Sequence, residues 1–275
     1  MAATLKVSRS NLRDQLKQED ISMTDTSKLS SSDESLLFDI KAILSKHPTY
    51  GYRRVTARLN AIKHRNGLEN VNHKRVYRVM KKANLLLSRY ASKPLRVHEG
   101  KVMTLQSNMR WCSDGFYITC ENGERVQVAF SLDTCDREAM RFIASTKGID
   151  GEMIRDLMSE TMHYRFGQVD HLPKKVQWLT DNGPCYIARE TVLFGQSIGL
   201  EICTTRPYSP ESNGMAEAFV KTFKRDYVWL GDLSNAQRVM EQLPAWFDDY
   251  NENAPHKALK MMAPREYIRS SQMAA

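Results

Sequence analysis

Three carboxylates stand apart from the other acids of this 275-residue sequence by where they fall. Asp114 lies in Trp111-Cys112-Ser113-Asp114-Gly115, inside a stretch that reads as a β-strand. Asp181 follows the short apolar run Trp178-Leu179-Thr180 and opens Asp181-Asn182-Gly183-Pro184. Glu217 sits in Asn213-Gly214-Met215-Ala216-Glu217-Ala218-Phe219, and 35 residues lie between it and Asp181. An acid in mid-strand beside aromatic residues costs free energy unless it is paired or binds a metal. Acids at the carboxyl ends of strands in open α/β sheets face the ligand crevice. Taken singly, each has a plainer reading: a turn for Asp181-Asn182-Gly183-Pro184, a helix-surface acid for Glu217, a cap or bulge residue for Asp114. Taken together they are far more specific.

The elements that must position these acids form a mixed α/β pattern. Residues 111–120 read as a strand, Asn122-Gly123 as a hairpin turn, and residues 126–132 as the return strand, with Val126, Val128 and Phe130 alternating. Residues 139–145 form a third strand candidate. A helix is expected over 151–166, through Met153, Ile154, Leu157, Met158 and Met162. A short strand over 176–180 runs into Asp181, followed by a helix over 187–198 and a strand over 201–205. Long helices are expected over 211–229 and 236–250, the first carrying Glu217. Three antiparallel strands followed by alternating helices and strands imply a mixed sheet with helices on its faces.

Charge divides the chain. The whole carries +8, but residues 46–97 hold 14 Lys and Arg against one acid, Glu69. That excess far exceeds what solubility requires and points to a polyanion partner, nucleic acid first. Within and before this block three helices are expected. Ser32 or Asp33 caps the first, with Leu36, Leu37, Ile40, Ile43 and Leu44 at helical spacing. The second spans 51–61, with Arg53, Arg54 and Arg58; the third is capped by Asn72, with Val76, Val79 and Met80 inward. Its other faces hold Lys74, Arg75, Arg78, Lys81 and Lys82, which suits a helix laid against DNA. Residues 1–32 read as a flexible N-terminal segment, 33–90 as a helix-turn-helix-like DNA-binding domain, 91–104 as linker and 105–270 as the catalytic domain. Within the first segment, residues 6–12 match either the start of a helix-turn-helix recognition helix or a frayed helix. With mean hydropathy −0.51 and no long apolar run, neither a membrane span nor a secretory signal is expected. Five scattered cysteines without a CxxC pair read as reduced thiols of a cytosolic protein.

Several motifs, in order and at the right separations, resemble those of DDE transposases and retroviral-type integrases, whose core is ribonuclease-H-like. The D…D-35-E spacing of Asp114, Asp181 and Glu217 is one; His47-Pro-Thr-Tyr-Gly-Tyr-Arg-Arg-Val55, Asn72-His-Lys-Arg-Val-Tyr-Arg-Val-Met80 and Arg110-Trp-Cys-Ser-Asp114 are others. Trp178-Leu-Thr-Asp-Asn-Gly183, Ser209-Pro-Glu-Ser-Asn-Gly-Met-Ala-Glu217, Phe219-Val-Lys-Thr-Phe-Lys-Arg-Asp-Tyr227 and Ala263-Pro-Arg-Glu-Tyr267 continue the match. The flanks are similar to the OrfB-type transposases of the IS-three insertion-sequence family, particularly its IS-two-like subgroup. The resemblance implies a five-stranded mixed sheet with flanking helices, preceded by a small all-α domain. It implies that Asp114, Asp181 and Glu217 hold two Mg²⁺ or Mn²⁺ ions, for which three carboxylates without a His/Cys cluster are suitable ligands. It implies metal-dependent cleavage and strand transfer at element ends, with no other cofactor.

By the same resemblance Lys224, two helical turns after Glu217, contacts terminal DNA. Lys221 faces similarly, with a salt bridge to Glu217 as its alternative. Asn182 and Asn213 orient the acids or DNA, and Arg206 and Tyr208 touch DNA. Further implications are a homo-oligomeric synaptic complex on element ends and target DNA, a bacterial cytoplasmic location, and production as a fusion with an upstream reading frame. The chain starts near the end of that upstream motif, so incomplete end recognition on its own is expected. One departure is plain: His47, His64 and His73 have no nearby cysteine, so the zinc module of retroviral integrases is not expected. The competing readings are a ribonuclease-H-like nuclease and a catalytically silent DNA-binding descendant.

Overall fold

The computed structural model describes residues 30–87, 104–205 and 214–273. The first of these spans holds three helices: α1 (Ser31–Lys46), α2 (Tyr52–Arg65) and α3 (His73–Lys82). Asn72 caps α3 as expected, its side chain accepting from the Lys74 amide. The cap of α1 is Ser30, not Ser32 or Asp33. The reason is tertiary: Arg75 on α3 donates to both Ser32 and Asp33. Leu36, Ile40, Val55, Leu59, Val76, Val79 and Met80 close a small core between the three helices.

Five strands follow: β1 (Arg110–Thr119), β2 (Arg125–Asp133), β3 (Ala139–Ser145), β4 (Val176–Thr180) and β5 (Leu200–Thr204). Their order in the sheet is β3-β2-β1-β4-β5. β1–β2 and β2–β3 are antiparallel, whereas β1–β4 and β4–β5 are parallel. Gly123 takes φ 86° in the β1–β2 turn, a conformation open to glycine at little cost, so the Asn-Gly reading holds. This is the mixed five-stranded sheet expected from the pattern.

Helices α4 (Gly151–Phe166), α5 (Pro184–Ile187), α6 (Arg189–Ser197), α7 (Gly214–Asp226), α8 (Ala236–Asn253) and α9 (Pro264–Met273) complete the described fold. The helix expected over 187–198 forms as α6; Ile187 instead ends the short α5, and Ala188, whose ψ of 134° is extended, separates the two. Of the helix expected over 211–229, α7 ends at Asp226 and a 3₁₀ turn covers Val228–Leu230; residues 211–213 lie outside the described set.

The sheet buries both faces. Side chains alternate along a strand, so Cys112, Phe116 and Ile118 of β1 point one way, into a cluster with Phe219 and Phe223 of α7 and Leu243 and Phe247 of α8. Trp111 of β1 and Trp178 of β4 point the other way, against Ile154, Leu157 and Met158 of α4. Among the described residues no helix is long and apolar enough to cross a membrane. All five cysteines are free.

Candidate active site

The parallel register of β1 and β4 pairs Cys112 with Leu179. Two residues further along β1 stands Asp114, and two residues beyond Leu179, just past the end of the neighbouring strand β4, stands Asp181. Period-two alternation fixes their common side: Asp114 shares the face of Cys112 and Phe116, and Asp181 that of Leu179. That face is the one α7 covers, through Phe219 4.4 Å from Phe130 and Phe223 5.8 Å from Phe116, centroid to centroid. Glu217, exposed in the first turn of α7, is therefore delivered to the same side as the two aspartates.

Electrostatics report the convergence. The Asp114 carboxyl is pushed up to about 6, first by burial and then by the neighbouring charges of Asp181 and Glu217, against the lowering effect of the Gly115 amide. That amide donates to Asp114 Oδ1 at 2.7 Å. Among the described residues no three His, Cys, Asp or Glu side chains stand close enough together to hold a metal ion.

The turn after β4 is built around Asp181. Its Oδ1 accepts from the Gly183 amide at 2.9 Å. A Cβ at position 183 would lie 2.9 Å from that same oxygen, so any larger residue here must push the Asp181 carboxylate aside, although the backbone φ of −60° would accept it. Asn182 donates to the Thr205 carbonyl at 3.1 Å and ties the turn to the end of β5. Its side chain thus orients the loop that carries Asp181. Tyr186, on α5, pairs its hydroxyl with Ser113 at 3.0 Å, both groups buried. It joins the Asp181 turn to the residue preceding Asp114. Sequence reasoning missed this link: nothing local in Ser113 or Tyr186 signals a partner 73 residues away.

Lys224 lies with Nζ 5.5 Å from the centroid of the Phe116 ring, on the Asp114 face and farther along β1. Lys221 is exposed on α7 and, among the described residues, no ion pair joins it to Glu217. Asn213, Arg206, Tyr208 and residues 6–12 lie outside the described residues.

The cations expected to meet DNA fall into two groups. Arg53, Lys74 and Lys81 are exposed. Arg53 stays close to Tyr52, donating to its hydroxyl at 3.1 Å. Arg75 and Arg78 reach Asp33, at 2.8 and 3.5 Å. The hydrogen bond from Arg75, with the charges of Arg78 and Lys82 nearby, holds the Asp33 carboxyl below its usual range. Arg54 turns inward to Asp226 of α7, at 2.8 Å.

Residues 31–93 match the profile of an HTH-like domain, and residues 105–210 and 198–264 match two profiles of an integrase core domain. The chain is 44% identical over 268 residues to the Escherichia coli transposase InsD of insertion element IS2A/D/F/H/I/K, covering 96% of this chain and 88% of that one. It is equally similar to the InsD transposase of element IS2-9 from E. coli strain K12, with 87% of that protein covered. Among solved structures, the simian T-cell lymphotropic virus intasome in complex with the PP2A subunit B56 gamma shares the fold. The TM-score is 0.50 at 17% identity, over 77% of this chain and 74% of that one. From identity of that order along nearly the whole length, on a ribonuclease-H-like mixed sheet, the chain belongs to the family of insertion-element transposases with an integrase core domain.

Proposed function

We propose that this transposase is a DDE-type polynucleotidyl transferase that cuts the ends of its insertion sequence and joins them to target DNA, with Asp114, Asp181 and Glu217 as the acidic triad. What supports the reading is that β1 and β4 run side by side, with Asp181 just past the end of β4, and that Asp181 and Glu217 lie close enough to Asp114 for their charges to raise its carboxyl. The donor set, three carboxylates offering oxygen ligands only, fits hard divalent cations. Bound there, Mg²⁺ or Mn²⁺ ions would supply charge stabilisation at the scissile phosphate and activation of the attacking oxygen.

The chain's own residues do the rest. Gly183 and Asn182 fix the Asp181 turn, and the Tyr186–Ser113 bond ties that turn to β1. Lys224 and the exposed Arg53, Lys74 and Lys81 contact phosphates, Lys224 beside the reacting end. Lys221 and Lys82 extend that basic surface. Residues 33–90 act as the helix-turn-helix-like DNA-binding domain, 91–104 as linker and 105–270 as the catalytic domain.

The protein works as a homo-oligomer that synapses two element ends, in the bacterial cytoplasm, as an OrfB-type product of the IS-two-like subgroup fused to an upstream partner. Two ends must be held together for both to be joined, which supports the oligomer. The match to full transposases disfavours the nuclease and silent-regulator readings. The test is nicking of a labelled element end in Mg²⁺ and in EDTA, by wild type and Asp181→Asn. Nicking by wild type in Mg²⁺ alone is expected; nicking that persists in EDTA or in the variant overturns the assignment.

A further inference from the structure

Asp226, the last residue of α7, is an unexpected place for a buried acid. Its side chain is 1% exposed. A carboxylate at a helix C-terminus also opposes the helix dipole. Both costs need strong compensation, and it comes partly from another domain. Arg225, on the same helix, donates to both carboxylate oxygens, at 2.6 and 2.8 Å. Thr49, in the turn between α1 and α2, donates its hydroxyl at 2.6 Å, and Arg54 of α2 donates at 2.8 Å. Arg54 is held in place by the ring of Tyr50, 3.7 Å from guanidinium carbon to centroid. A second contact lies beside the first: His47 Nδ1 is 3.8 Å from Asp249 of α8, which also accepts from the Tyr227 hydroxyl at 3.0 Å. The turn of the helical domain thus seats on the end of the helix that presents Glu217.

We infer that Thr49, Arg54 and Asp226 are positioning residues: the helical domain buttresses α7 through them and so sets the place of Glu217. This rests on the reading of Glu217 as an active-site acid. The helix is anchored at two points. Phe219 and Phe223 fix its middle against β1 and β2, and Asp226 fixes its end. Nine residues from Glu217 to Asp226 span about 14 Å of rigid helix. With the end released, a slide of α7 moves Glu217 by the same amount, while a tilt about Phe219 moves it by two-sevenths as much. A shift of 1 Å at a reacting centre costs about 100-fold in rate. Release by 1 Å therefore slows the reaction between about 4-fold for a pure tilt and about 100-fold for a pure slide. Asp226 is anionic and Thr49 neutral, so neither effect can be a lost cation contact with DNA.

The experiment compares full-length wild type, Thr49→Val, Thr49→Ser and Asp226→Asn, with Glu217→Gln as a control on the site. Backbone hydrogen exchange in α7, mobility shift of a labelled DNA end, and Mg²⁺-dependent strand transfer are read for each. Thr49→Val and Asp226→Asn should speed exchange within α7 at least tenfold and slow transfer 4- to 100-fold. Exchange in β1 and β2 and DNA affinity should stay within twofold of wild type, and Thr49→Ser should behave as wild type. Unchanged exchange in α7 for Thr49→Val overturns the inference. So does faster exchange throughout the sheet, which marks a general loss of stability. Full transfer by Glu217→Gln sinks the site reading instead, and the exchange of α7 still decides the buttress.

Discussion

Gly183→Ala isolates one dimension of the site. The backbone at position 183, with φ −60° and ψ 139°, accepts alanine without strain. The added methyl would sit 2.9 Å from Asp181 Oδ1 and 3.3 Å from Tyr186 Cδ2. The carboxylate is the end of a short side chain and gives way more readily than backbone. Restoring an ordinary contact of 3.4 Å displaces it by about 0.5 Å. At about 100-fold per ångström of misplacement, that shift slows the reaction about tenfold, or about 1.4 kcal/mol on the barrier. The assay is single-turnover strand transfer from a pre-cut end, with thermal unfolding and a mobility shift run beside it. A tenfold slower transfer is expected, with DNA affinity unchanged and the unfolding midpoint nearly so. Gly214→Ala, whose methyl meets nothing within 4 Å at the start of α7, should stay within twofold of wild type. Transfer by Gly183→Ala at the wild-type rate would refute the placement of Asp181 at the reacting centre.

Other expectations follow from the same structure. Because burial and two like charges raise the Asp114 carboxyl to about 6, its protonated form is favoured in the folded state. In the metal-free protein this group therefore costs no stability below about pH 4, where it is protonated in both states, and its destabilising effect grows as pH rises from about 4 to about 6 and is complete above that. Asp114→Asn removes that part of the pH dependence of the unfolding midpoint, and with it the rise in midpoint that Mg²⁺ gives wild type at pH 7. Arg165 is buried and bonds Asp136 at 3.0 Å and Glu138 at 3.2 Å. Arg165→Met leaves those acids unpaired and should cost about 3–5 kcal/mol in denaturant unfolding; a loss below 1 kcal/mol would show that Arg265, 2.9 Å from Glu138, suffices. Lys224→Ala should lower the slope of log affinity against log salt by about one, uniformly across DNA sequences. An unchanged slope would confine Lys224 to packing on Phe116.

What the sequence disclosed, it disclosed through local signals. The helix over Gly151–Phe166 is bounded as expected because Asp150 caps it by accepting from the Met153 amide and its apolar residues keep period. The hairpin was legible in Asn122-Gly123. The acids stood out because their spacing resembles a family signature, and in the fold Asp181 and Glu217 lie near enough to Asp114 for their charges to reach it. Features decided by distant partners were not legible. The serine-rich approach to α1 offers several caps, and Arg75 selects among them. Arg54 reads as one of a row of cations, and only Asp226, 172 residues away, turns it inward. The helix α9, opening at Pro264, was not anticipated; its Arg265 is held by Glu138, Asp248 and Glu252, three acids on other elements.

The central claim, that Glu217 acts with Asp114 and Asp181 at one reacting centre, is met most directly by strand transfer. A pre-cut, labelled element end is incubated in Mg²⁺ with wild type or Glu217→Gln, both shown to bind the end equally. Because α7 brings Glu217 to the face that Asp114 and Asp181 share, joined product is predicted from wild type and none from the variant. Equal product from both would contradict the claim.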